Sequence, residues 1–103
     1  MFLGKVIGQV VATQKDEKLV GRKLLVLRPL QIADEDSPKI VESKNTVVAV
    51  DSCGAGTGQL VLFCQGSSAR QTSGMKELPI DAAVVGLVDN IEAFSKQIYK
   101  AGK

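Results

Sequence analysis

The sequence predicts an all-β domain: a small five-stranded barrel, a short helical turn near residues 68–73 and a short C-terminal helix. Three observations lead there. Five apolar runs of strand length are rich in Val, Ile and Leu. Glycine-rich or charged connectors separate them. Both faces of several runs are apolar, which a monomeric barrel does not need.

The elements follow in chain order. The runs span residues 2–13, 23–30, 46–52, 59–65 and 82–90. The first connector, residues 14–22, is charged, holds Gly21 and reads as a hairpin loop. The second, residues 31–45, carries Asp34-Glu35-Asp36-Ser37-Pro38 and reads as a mobile acidic surface loop. The third, Cys53-Gly54-Ala55-Gly56-Thr57-Gly58, is a tight glycine turn. After the fourth run, Ser68 and Gln71 match a capping box, with Gly74 as the stop. In the tail, Ile91, Phe94 and Ile98, with Tyr99 beside them, have the spacing of an amphipathic helix. Closing five strands into a barrel removes exposed sheet edges.

A strand in a small monomeric barrel alternates, apolar inside and polar outside. These do not. Phe2, Val6 and Val10 oppose Leu3, Ile7 and Val11; Leu60 and Leu62 oppose Val61 and Phe63; Val84 and Val88 oppose Ala83, Val85 and Leu87. One face fills the barrel and the other needs cover. Another copy of the chain can provide it, at ~1.5–3 kcal/mol for each buried Val or Leu side chain. The alternative is that the C-terminal helix and the long loop hide the second face.

Composition excludes several functions. The chain has 103 residues, 45% hydrophobic and 23% charged, which fits one folded domain over residues 1–103. Its 13 basic and 11 acidic side chains leave a formal charge of +2, spread without a basic field for nucleic acid or membrane. The start Met1-Phe2-Leu3-Gly4-Lys5 lacks the pattern of a signal peptide. No run approaches the ~20 apolar residues of a membrane helix. A cytoplasmic location is therefore expected. Cys53 and Cys64 are not spaced as Cys-x-x-Cys, and histidine is absent, so neither a metal nor any other cofactor is expected.

Three segments could carry chemistry. Gly54, Ala55, Gly56, Thr57 and Gly58 suggest a nucleotide loop, but the spacing is Gly-x-Gly-x-Gly and a strand follows rather than a helix. Ser67, Ser68 and Arg70 suggest a nucleophile with an oxyanion clamp, but no histidine can serve as base. Asp51, Asp81 and Asp89 stand at strand ends, where one of them can pair with Arg70 to lock a loop or a subunit contact. No catalytic residue is expected. A barrel of the OB type raises a single-strand nucleic-acid alternative, yet Phe2, Phe63, Phe94 and Tyr99 lie outside any basic cluster.

The stretch from Val50 to Gly58, then Leu60-Val61-Leu62, then Gly66-Ser67-Ser68-Ala69-Arg70-Gln71 resembles the central signature of the EutN/CcmL family, the vertex proteins of metabolosomes and carboxysomes. Residues 8–13, 23–27 and 79–89 resemble that family's first, second and last strands, so the likeness runs from Leu3 to Asp89. It implies an OB-like barrel assembled as a cyclic homopentamer that caps a five-fold vertex of a bacterial microcompartment shell beside hexameric shell proteins. It also implies a narrow axial opening, near which residues 54–58 are expected to lie. Asp51, Ser67, Ser68, Arg70, Asp81 and Asp89 are then candidates for loop locking or subunit contact.

Overall fold

The computed structural model describes residues 1–12, 16–72 and 80–102. Six strands form one sheet: β1 (Phe2–Val10), β2 (Leu24–Ala33), β3 (Lys39–Glu42), β4 (Val47–Asp51), β5 (Leu60–Gln65) and β6 (Ala82–Leu87). Their order is β1-β5-β6-β4-β2-β3, and β1 also pairs with β2, which closes the barrel. The pairings are antiparallel except β4 with β6, which run parallel through Val50–Ala83 and Asp51–Val84. This is the expected all-β barrel.

Alternation within each strand places the core. Val6, Leu25, Leu27, Ala49, Val61, Phe63 and Val84 point inward and are buried, as the two-residue period requires. Leu3, Lys5, Val26, Arg28, Val48 and Leu62 occupy intervening positions on the outside. A bulge between Val6 and Gly8 bends β1, and a second between Leu62 and Phe63 bends β5 against β6. Part of the outer face is covered by the chain itself. Val50 packs there with Leu24, Ile80 and Leu19, the last from a 3-10 turn over Glu17–Leu19.

Four expectations need correction. The loop at 31–45 is partly sheet: β2 continues to Ala33, and β3 returns along it from Ala33–Lys39 to Leu30–Glu42. Residues 34–38 remain as a turn between the two strands, and residues 43–45 belong to the link to β4. The C-terminal helix is instead a hairpin, β7 (Asn90–Ala93) with β8 (Lys96–Lys100). Phe94 and Ser95 take φ of 52° and 63°, the pair of left-handed residues that a two-residue hairpin turn requires. Spacings of three and four therefore reflect two strands with a bulge between Ile91 and Glu92, not a helical face. The helical turn starts earlier than read, as a 3-10 helix over Gly66–Gln71. Its N-cap is Gln65, without a side-chain cap bond, so Ser68 does not begin a capping box. Gly74, the expected stop, lies outside the described residues; the helix ends at Gln71, with Thr72 as C-cap.

Candidate functional site

Two parts of the barrel surface carry the features singled out in the sequence: the glycine turn after β4, and the apolar outer walls. The turn is held from both sides. Asp51, with a side chain 3% exposed, accepts hydrogen bonds from the Cys53 N–H at Oδ1 and the Ala55 N–H at Oδ2, both at 2.9 Å. This fixes the first bend after β4, where Gly54 takes φ of 77°. Lys23, at the entry to β2, donates from Nζ to the Ala55 carbonyl at 2.5 Å and stands 3.9 Å from Asp51 Oδ2. Beyond the bend, the Gly56 N–H donates to Gln59 Oε1 at 2.7 Å. Gly58, at φ of 91°, donates to the Val6 carbonyl, and Val6 donates in return to Gln59.

The five turn residues therefore do different jobs. Ala55 is fully buried and turns its methyl group into the barrel core. Gly54, Thr57 and Gly58 face solvent, and Gly56 is half-buried. Thr57 is the residue of this turn with a side chain exposed to solvent. Sequence reasoning found Asp51 and the glycines but missed Lys23 and Gln59, since one lysine before a strand and one glutamine after a turn carry no motif.

The other candidates are dispersed. Asp81 is exposed, and its carbonyl accepts from the Gly66 N–H at 2.7 Å, tying the start of the 3-10 helix to β6. Asp89 is exposed, and its carbonyl accepts from the Ala101 N–H at 2.8 Å, closing the base of the C-terminal hairpin. Ser67 is exposed, and Ala69 is buried. The side chains of Ser68 and Arg70 lie outside the described residues, and so does the expected ion pair of Arg70. Asp51 is engaged by two amides and Lys23, and Asp81 and Asp89 each act through a backbone carbonyl.

On the outside of the barrel, two apolar patches flank a charged one. The first is a groove of about 530 Å³ between the sheet and the hairpin, lined by Leu3, Leu62, Leu87 and Ile91 with Asp89 and Glu92 also on its wall. The second centres on Val26 and Val48, directly opposed across β2 and β4. Between them Lys5 and Arg28 face each other across β1 and β2, and both reach Glu42, at 3.4 and 3.3 Å. Two cations share one carboxylate, so this strip is net positive.

Among the described residues, no aromatic side chains form a stacking groove for nucleic acid. Phe63 is buried, Phe2 stacks on it at 5.4 Å, and Phe94 sits in the hairpin turn. Among the described residues, no group of three or more His, Cys, Asp or Glu side chains is placed to hold a metal ion. Nor is any helix among them long and apolar enough to cross a membrane.

Comparison with known proteins gives a consistent set. Residues 1–89 match the family described as ethanolamine utilisation protein EutN/carboxysome. The chain is 50% identical over 92 residues to the bacterial microcompartment shell vertex protein GrpN of Rhodospirillum rubrum, covering 89% of this chain and 97% of that one. The solved structure described as the GrpN pentameric microcompartment shell protein superposes with a TM-score of 0.76 at 48% identity, over 90% of this chain and 99% of that one. Gloeobacter violaceus CcmL superposes with a TM-score of 0.84 at 36% identity, over the whole of both chains.

Proposed function

This chain belongs to the EutN/CcmL family, and from that membership we propose that it is a structural subunit whose five copies form a ring capping a five-fold vertex of a bacterial microcompartment shell. The observation that carries the reading is the near full-length likeness to a pentameric shell chain. The barrel supplies the physical means. A cyclic ring joins subunits head to tail, so two different patches of one chain must fit each other. Apolar outer walls on opposite sides of a charged strip provide two such patches.

A flat sheet of six-fold tiles cannot close, and five-fold units supply the missing curvature. The partners of the ring are then hexameric shell proteins at its rim, and its work is packing rather than a catalytic step. The glycine turn belongs in this picture as a rim of small residues able to approach the ring axis closely, with Thr57 at its tip.

Light scattering on the purified chain over a range of concentrations tests the ring. A stable species of about 54.5 kDa, five times the 10.9 kDa chain, is expected. A monomer that persists at every concentration overturns the reading.

A further inference from the structure

The Val26–Val48 wall and the groove under the C-terminal hairpin are both apolar, and they lie on different parts of the barrel. Val48 is 49% exposed and Leu87, in the groove, is 40% exposed. Neither is buried by its own chain, whereas Val50, the next outward residue of β4, is covered by Leu19, Leu24 and Ile80. The strip of Lys5 and Arg28 lies between the two surfaces, exposed Asp81 shares a hollow with Val48, and acidic side chains stand on the hairpin side of the groove. Exposed Asp89 and Glu92 border the groove. Arg28 lies two residues along β2 from Val26, on the same face, with Lys5 opposite it and Glu42 the single carboxylate between them.

We propose that these two surfaces are the two halves of the subunit contact: the Val26–Val48 wall of one copy seats against the Leu3–Leu62–Leu87–Ile91 groove of the next, with the Lys5–Arg28 strip facing Asp89 and Glu92. The proposal rests on the ring reading above and specifies which surfaces meet. A second copy is the occupant because the strip beside the wall is complementary in charge to the Asp89 and Glu92 side of the groove, and the two patches are unlike in form, as a head-to-tail contact requires. An isologous dimer would instead press one patch against itself. The hairpin thereby gains a role: with the barrel wall it forms the groove that receives the neighbour.

Two variants separate this contact from others. Val48→Asp disables the wall and Leu87→Asp disables the groove; both positions already face water, so the fold should survive, as circular dichroism and urea unfolding will check. Each variant alone is expected to lose the five-fold mass and run as a monomer. Mixed in equal amounts, they are expected to form a 1:1 heterodimer and go no further, because one intact wall meets one intact groove. Native mass spectrometry distinguishes the species. If either Asp variant fails to fold, Val48→Ser or Leu87→Ser takes its place in the mixture. Wild-type pentamers that persist in both variants overturn the proposed contact while leaving the ring intact, and assign these walls to another kind of subunit. Monomeric variants that do not pair when mixed also overturn it. A wild-type chain that never forms a ring removes the reading beneath it.

Discussion

A Cβ atom placed on Gly4 would come within 2.9 Å of Phe63 Cε1 and 3.0 Å of Cδ1. Phe63 is the largest fully buried side chain of the barrel, and its ring is held on its other contacts by Phe2, stacked with centroids 5.4 Å apart and planes 29° from parallel. Full burial leaves that ring little room to retreat. Gly4→Ala is therefore expected to cost about 1–3 kcal/mol through overpacking. The gain from restricting the unfolded chain, about 0.4–1 kcal/mol, offsets only part of it. Urea unfolding of the two proteins measures the difference, and an equal or raised midpoint for the variant contradicts the contact.

Asp51 serves two amides at once, so its loss leaves two donors without their acceptor. Asp51→Ala is expected to destabilise by about 1–3 kcal/mol. Asp51→Asn keeps one acceptor oxygen but turns an NH2 group toward the other amide, and should fall between. Equal stability of Asp51→Ala and the wild type in thermal unfolding would show that water replaces the carboxylate without loss.

The strip of Lys5, Arg28 and Glu42 makes a salt-dependent prediction. Like charges directly opposed across a strand pair repel, and Glu42 relieves this. All three side chains are partly exposed, so the effect is modest, within about 1 kcal/mol. Glu42→Gln should lower the melting temperature at low ionic strength, and the deficit should shrink as sodium chloride is raised toward about 1 M, where the screening length is roughly 3 Å. A deficit that does not change with salt would point to lost packing instead.

The glycine turn separates its inner residue from its outer one. Ala55→Trp is expected to prevent folding, since the methyl group lies in the core. Thr57→Trp is expected to leave stability within about 0.5 kcal/mol of wild type, as surface substitutions usually do, and to narrow the axial opening of the ring. A solved pentamer of Thr57→Trp with an unchanged opening takes the turn away from the axis.

Phe94 and Ser95 adopt a conformation that costs about 1–2 kcal/mol per residue for side chains of L-amino acids. Replacing the pair with Asn-Gly, the sequence such turns prefer, should stabilise the hairpin. Amide exchange at Lys96–Lys100 should slow. Exchange as fast as in the wild type would mean that the turn is not what limits hairpin opening.

The same turn shows where sequence reasoning stops. β1, β2, β4, β5 and β6 were legible because each is a run of Val, Leu or Ile between turn residues. β3 was not: Lys-Ile-Val-Glu is short and polar at its ends, and pairing with β2 is what makes it a strand. The tail was ambiguous because Ile91, Phe94 and Ile98 satisfy helical spacing, while Phe-Ser carries no turn signature; the backbone strain that reveals the hairpin is invisible in residue names. At the site, Asp51 was legible as a strand-end carboxylate able to lock a loop by pairing with Arg70, whereas its hold on the Cys53 and Ala55 amides was not. Lys23 did not, because its partner Ala55 lies more than thirty residues away and is joined by a backbone carbonyl. The doubly apolar strands announced outer walls, yet which walls remain bare depends on Leu19 and Ile80 covering Val50, a matter of packing alone.

The parallel pairing of β4 with β6 has a kinetic consequence. β1 and β2 are neighbours in sequence and can zip together early, whereas Val50 and Asp51 must find Ala83 and Val84 across all of β5 and the 3-10 helix. Closing so long a loop costs entropy before any contact repays it. Pairing β1 with β5 spans still more chain, Phe2 to Phe63, so both long-range pairings are expected to follow the β1–β2 hairpin, and the barrel is closed only when the β4–β6 seam forms. Until it does, the newly made chain carries two naked strand edges together with its apolar walls, the state most prone to join the wrong neighbour. The interval between leaving the ribosome and sealing that seam is when this subunit is most easily lost to aggregation.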